Sequence, residues 1–210
     1  MTDTPRATGR RRGRPPASDS AVTRERILGA ARRIFAESGY EAATFQAIAM
    51  EIGLTRPAIN IYFPNKSALY GEVVNRAGNT VLEAVRAAEA APTLGEQVLE
   101  FIRVAFRSQD ADPALAGFLV QSAMEARQVD PDSDPALIIE RFVGDAVAAA
   151  IERGELGSDA DTDALTDTLT GVLWGADFQV SRRLQPDRVR ADRMLGQLDA
   201  LLDHGVRRAG

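Results

Sequence analysis

Arg56 and Asn60 stand four residues apart, a spacing that puts a guanidinium and a carboxamide on one helical face. A guanidinium can donate to O6 and N7 of guanine or to a phosphate, and a carboxamide can bond N6 and N7 of adenine, so the pair could read base edges. Ile59 and Phe63, at the same spacing, take a different face and point inward. Pro57 and Ile61 form the neighbouring stripe, where an isoleucine on a short polar helix would meet thymine methyl groups in a major groove. Tyr62 and Lys66 suit phosphates.

The elements that must hold these groups are legible from caps and breakers. Thr44 can cap a short helix with Ile48, Ala49 and Ile52 on one face, and Gly53 supplies the freedom a tight turn needs. Thr55 is the expected N-cap of the next helix, with Pro57 in its first turn, and Pro64 stops it. Upstream, Ile27, Ala30, Ala31, Ile34 and Phe35 form one stripe of a helix ended by Gly39. Downstream, KSALYGEVV begins another amphipathic helix.

The run from about Thr23 to Val74 strongly resembles the DNA-binding domain of the TetR (tetracycline repressor) family. The matching pieces are Ile27-Leu28, Ala30-Ala31, Phe35 with Gly39-Tyr40, Thr44, Ile48-Ala49, Gly53-Leu54-Thr55, Tyr62-Phe63, Lys66 and Leu69. The resemblance implies a helix-turn-helix that meets DNA through Thr44, Thr55, Arg56, Pro57, Ala58, Asn60, Ile61, Tyr62 and Lys66. In the family the position of Asn60 is most often aromatic and that of Ala58 often Thr or Ser. Both depart here, which touches the base preference rather than the docking mode.

Charge is distributed to match. The formal net charge is −5, yet residues 1–66 hold eleven basic and six acidic side chains while the other 144 hold fourteen and twenty-four. An acidic remainder aims the basic end at phosphates. Residues 1–20, rich in Arg, Pro and Gly, read as a disordered arm. Its Arg11-Arg12-Gly13-Arg14-Pro15 core resembles an AT-hook, whose arginines enter the narrow minor groove of A·T tracts. The expected organisation is therefore this arm, a helix-turn-helix domain over 21–66, and a helical regulatory and dimerisation domain over 67–210.

Apolar residues at 45%, aromatics at 6% and no strand-like alternation predict an all-α chain. A long helix from Lys66 to about Ala91 carries Leu69, Val73, Ala77, Val81 and Val85 and would serve as a lever between the two domains. Helices are expected from Thr93, from Pro113 to about Gln128, from Pro135 to Arg153, from Thr162 to Leu184 and from Pro186 to Val206. Asp130-Pro131-Asp132 and Asp159-Ala160-Asp161 have calcium-like spacing but lack the glycine and glutamate of an EF-hand loop, and read as helix starts. Phe101, Phe106, Phe118, Met124, Phe142, Trp174 and Phe178 are candidates to line an apolar pocket. Gly171 and Gly175, four apart, suggest close helix crossing. The segment from Gly154-Glu155-Leu156 to Gly175 more loosely resembles the family's regulatory domain, whose two terminal helices in each subunit form a four-helix dimer interface. That implies dimer contacts at Gly171, Gly175, Leu195, Leu198, Leu201 and Leu202.

No Cys occurs and His204 is the lone histidine, so thiol catalysis and thiolate metal sites are excluded and no cofactor is expected. The absence of a long apolar run points away from membranes and towards the bacterial cytoplasm, with nucleoid association when DNA is bound. A helical enzyme acting on a small molecule would need a constellation the sequence lacks. An interaction module without DNA binding leaves Arg56, Asn60 and the basic arm unexplained. The reading that uses them all is a ligand-responsive homodimeric regulator. It is expected to be a repressor that binds a palindromic operator in double-stranded DNA and is released by a small apolar or amphipathic molecule.

Overall fold

A computed structural model describes residues 17–125, 129–181 and 188–206, and its regular elements there are nine α-helices. They are α1 (Ala17–Ala42), α2 (Phe45–Glu51), α3 (Arg56–Asn60), α4 (Lys66–Ala88), α5 (Leu94–Ala111), α6 (Ala114–Glu125), α7 (Pro135–Glu152), α8 (Thr162–Ser181) and α9 (Arg188–Val206). Among the described residues, no helix is long and apolar enough to cross a membrane.

Most of these starts have a local cause. The side chains of Thr44, Thr55, Asn65, Thr93 and Asp134 accept backbone N–H groups at the beginnings of α2, α3, α4, α5 and α7, satisfying donors a helix leaves open. Asp134 and Asp161, from the two aspartate-rich segments, accept from Ala136 and Ala164. Gly39 breaks α1 with φ at +74°, a left-handed conformation that favours glycine.

The head (α1–α3) packs α2 across α1 and α3 against α2, while the rest of the chain forms the body. α1 lies along α6 and also meets α4. Leu69, Val73, Ala77, Val81 and Val85 of α4 are all buried, as the stripe predicts. α4 packs on α5 and α7, α8 on α7 and α6, and α9 on α5. Buried side chains from Ile27 in the head to Leu195 in the body make one continuous apolar cluster. Head and body are thus joined by a shared core rather than by a hinge of polar linker.

The structure shifts several boundaries. α1 begins at Ala17, inside the stretch read as a disordered arm, while Arg11, Arg12 and Arg14 lie outside the described residues. α4 ends at Ala88 rather than near Ala91, where Pro92 cannot continue a helix. The expected ends at Gln128 and Leu184 and the start at Pro186 also lie outside the described residues.

Candidate nucleic-acid interface

α2, the turn and α3 form a compact unit because each junction is pinned. The Thr44 hydroxyl oxygen accepts from Ala47 N–H at 3.1 Å. Gly53 takes φ +67°, and the next amide, Leu54 N–H, donates back to the Ala49 carbonyl at 2.8 Å. Thr55 then accepts from Ala58 N–H at 3.4 Å. Both hydroxyls keep their own proton for another acceptor.

α3 has five residues, too short to be stable alone, so its orientation depends on what it buries. Ile59 and Phe63 sit in the core at 0% and 3% exposure. Their burial turns Arg56, Pro57 and Asn60 outward, and leaves Ile61 81% exposed. Ala58 and Tyr62 are half-buried at the edge of that face, and Thr44 and Thr55 are exposed. The face can offer a guanidinium, a carboxamide and an apolar side chain together to a ligand surface.

Contacts distant in sequence fix this unit on α1. Arg26 donates to the Ile52 carbonyl at 2.9 Å, and Arg33 pairs with Glu51 at 3.1 Å. Arg24 lies 4.9 Å from the centroid of the Phe63 ring and pairs with Glu72 of α4 at 2.9 Å. Glu72 also meets Arg76, which reaches Glu25 at 2.7 Å. The hydrogen bond from Arg24, with the charges of Arg24 and Arg76, outweighs burial and holds the Glu72 carboxyl below its usual range. Periodicity does not reveal these residues, because each depends on a partner from another helix.

Lys66 requires a correction. Its ammonium donates to the carbonyls of Tyr40, Glu41 and Ala43 at 2.6, 3.1 and 3.0 Å and lies 4.3 Å from the Tyr40 ring centroid. An ammonium has three protons, and all three are used inside the chain. Lys66 therefore clamps the α1–α2 turn, and the expected direct phosphate contact gives way to that role.

The candidate pocket residues separate into groups. Phe118 is buried at the head–body junction, 6.5 Å from Phe35 and 5.9 Å from Tyr70. Phe101 and Phe142 stack at 5.4 Å in the body core. Phe106 and Trp174 are half-buried, while Met124 is 78% and Phe178 45% exposed. The surface positions of Met124 and Phe178 do not fit the expected common lining. A cavity of about 50 Å³ between α4, α6 and α7, lined partly by Tyr70, Val74 and Ser122, has room for a water or two.

The candidate dimer residues divide likewise. Gly171 and Gly175 lie exposed on α8 with open space beyond their Cα atoms, and Leu201 of α9 is 71% exposed. Leu195 is buried in the chain's own core, Leu198 is half-buried, and Leu202 lies 3.6 Å from the position of a Cβ on Gly95 of α5. These three leucines pack within the protomer because α9 lies along α5, which corrects Leu195 as an interface residue.

Comparison with known proteins bears on the same regions. Residues 27–73 match the family described as bacterial regulatory proteins, tetR family. An HTH-type transcriptional repressor of Mycobacterium tuberculosis is 46% identical over 50 residues, covering 24% of this chain and 27% of that protein. The transcriptional regulator UidR of Escherichia coli is 24% identical over 163 residues, covering 75% of this chain and 81% of that one. The ketosteroid transcriptional regulator KstR2 of Mycobacterium tuberculosis shares the fold, with a TM-score of 0.69 at 19% identity over 87% of this chain and 94% of that chain. The amino-terminal head thus matches the tetR family of bacterial regulatory proteins over residues 27–73, and the all-α body shares its fold with a solved transcriptional regulator.

Proposed function

We propose that the chain is a homodimeric repressor that reads a palindromic operator through α3 and is released by a small apolar or amphipathic ligand. The supporting observation is the exposed set Arg56, Asn60 and the C-cap Ile61, presented by a helix anchored through buried Ile59 and, just past its end, Phe63. Arg56 and Asn60 would take base edges, Ile61 a thymine methyl, and Thr44, Thr55 and Tyr62 phosphates, with Pro57 and Ala58 allowing close approach. The arm ahead of α1 would add Arg11, Arg12 and Arg14 to the flanking minor groove. Residues 21–66 would act as the DNA-binding domain and 67–210 as the regulatory and dimerisation domain.

Two-fold pairing through α8 and α9 would use the open glycines of α8 together with Phe178 and Leu201. Such pairing sets two heads on successive major grooves, about 34–36 Å apart. A ligand lodged in the body would release DNA only through unequal affinity for two arrangements of the heads. Selection from a random duplex pool, with sedimentation of the free chain, tests the reading. The expected results are a palindromic consensus and a dimer, with affinity falling steeply as salt rises. A non-palindromic consensus bound tightly by a single subunit would overturn it.

A further inference from the structure

The last residues of α1, beyond its break at Gly39, and the turn that follows them are gripped by the body from two directions. Lys66, the first residue of α4, takes the carbonyls of Tyr40, Glu41 and Ala43. Glu125, the last residue of α6, takes the opposite polarity: its Oε1 accepts Tyr40 N–H at 2.6 Å and the Gln121 side-chain amide at 3.1 Å. The Tyr70 hydroxyl donates to Glu125 Oε2 at 3.4 Å, and the Tyr40 and Tyr70 rings meet edge to face at 4.9 Å. A Cβ on Gly39 would lie 2.6 Å from Glu125 Oε1 and 3.0 Å from the Gln121 amide nitrogen. The carboxylate thus occupies space that any residue other than glycine would need.

We propose that Glu125 is a positioning residue: its bond to Tyr40 N–H sets the angle of the head against α6, so that a displacement of α6 reaches α3 through the α1–α2 turn. This inference rests on α3 being the DNA-reading element. Apolar packing of α1 along α6 tolerates small slides, whereas a charge-assisted hydrogen bond at 2.6 Å is directional. The link from there is short and stiff. α2 begins at Phe45, and Leu54 N–H ties the following turn back to Ala49. A rotation at Tyr40 is therefore carried to Thr55 and the start of α3.

The test exploits the absence of Cys from the sequence. Spin labels at Met50→Cys in α2 and Glu140→Cys in α7, both exposed positions, give a head-to-body distance in full-length chain diluted with unlabelled chain. Glu125→Ala should broaden that distance distribution and speed exchange of the Tyr40 amide, while Glu125→Gln, which keeps a carbonyl oxygen for the N–H, should preserve both. On a duplex selected by the wild-type chain from a random pool, the ratio of specific to nonspecific affinity should fall roughly five-fold or more in Glu125→Ala and recover in Glu125→Gln. A narrow distribution with a protected Tyr40 amide in Glu125→Ala overturns the proposal, as does a broadened one with an unchanged affinity ratio. Equal loss of thermal stability in both variants, with no change in distance, would show a merely structural carboxylate and also overturn it. The distance measurement needs no DNA, so a wild-type chain that selects no duplex would instead count against the reading of α3.

Discussion

The head and the terminal helices both expose large apolar side chains, but in different company. Ile61, the C-cap of α3, stands 81% exposed beside Arg56 and Asn60, while Ile59 behind them is buried. On α8 and α9, Phe178, Val189 and Leu201 are exposed at 45, 70 and 71%, with the bare glycines Gly171 and Gly175 on the former helix. An apolar group among directional donors suits a polar, patterned surface such as a DNA groove. Apolar groups repeated along helix faces with glycines suit another apolar helix surface. Exposure is informative only when read with its neighbours.

Matched truncations sharpen the contrast most. Phe35→Ala removes a ring that is 1% exposed and contacts Tyr40, Tyr70 and Phe118, so thermal or denaturant unfolding should show a loss of about 3–5 kcal/mol. Leu201→Ala, at a surface position, should change protomer stability by no more than about 0.5 kcal/mol, while Leu201→Asp should shift sedimentation towards monomer. If Leu201→Ala cost as much as Phe35→Ala, the terminal helices would be ordinary core and the contrast would fail.

A smaller effect is expected at the caps. Thr55→Ala leaves Ala58 N–H without its side-chain acceptor and should lower head stability by about 1 kcal/mol. Hydrogen exchange confined to α2 and α3 would report it, and uniform destabilisation of the chain would contradict local capping.

The smallest effect is in acid. Because the carboxyl of Glu72 is held low in the folded chain, the unfolded state binds its proton more readily. The resulting stability is fully present above the unfolded pKa, about 4.3, and is lost as pH falls through the lower folded value. Glu72→Gln should flatten the stability profile below about pH 4.3 and leave the acid response of α8 and α9 unchanged. An identical acid limb in the variant would remove Glu72 from the account.

What the sequence made legible is local. Thr44, Thr55 and Asp134 cap helices because the donors they satisfy lie two or three residues away, and the stripe on α4 is buried because its period matches a helix. The grip of Lys66 on Tyr40, separated by 26 residues, follows from tertiary packing and leaves no periodic trace. The exposure of Met124 was illegible for another reason. The run LAGFLVQSAM in α6 is almost wholly apolar, so no polar face sets the phase of the helix. Leu195, Leu198 and Leu202 share one face of α9 and Leu201 stands at its edge, and the path of α9 along α5 covers the first three and leaves Leu201 exposed.

The central claim, that α3 reads DNA through its exposed face, is tested most directly by Arg56→Ala and Asn60→Ala on a selected duplex and a random one. Each variant should retain its helical signal, lose about 1–3 kcal/mol on the selected duplex and bind the random duplex much as before. Equal losses on both duplexes would contradict the claim, because residues that read base edges must cost more where those edges are the right ones.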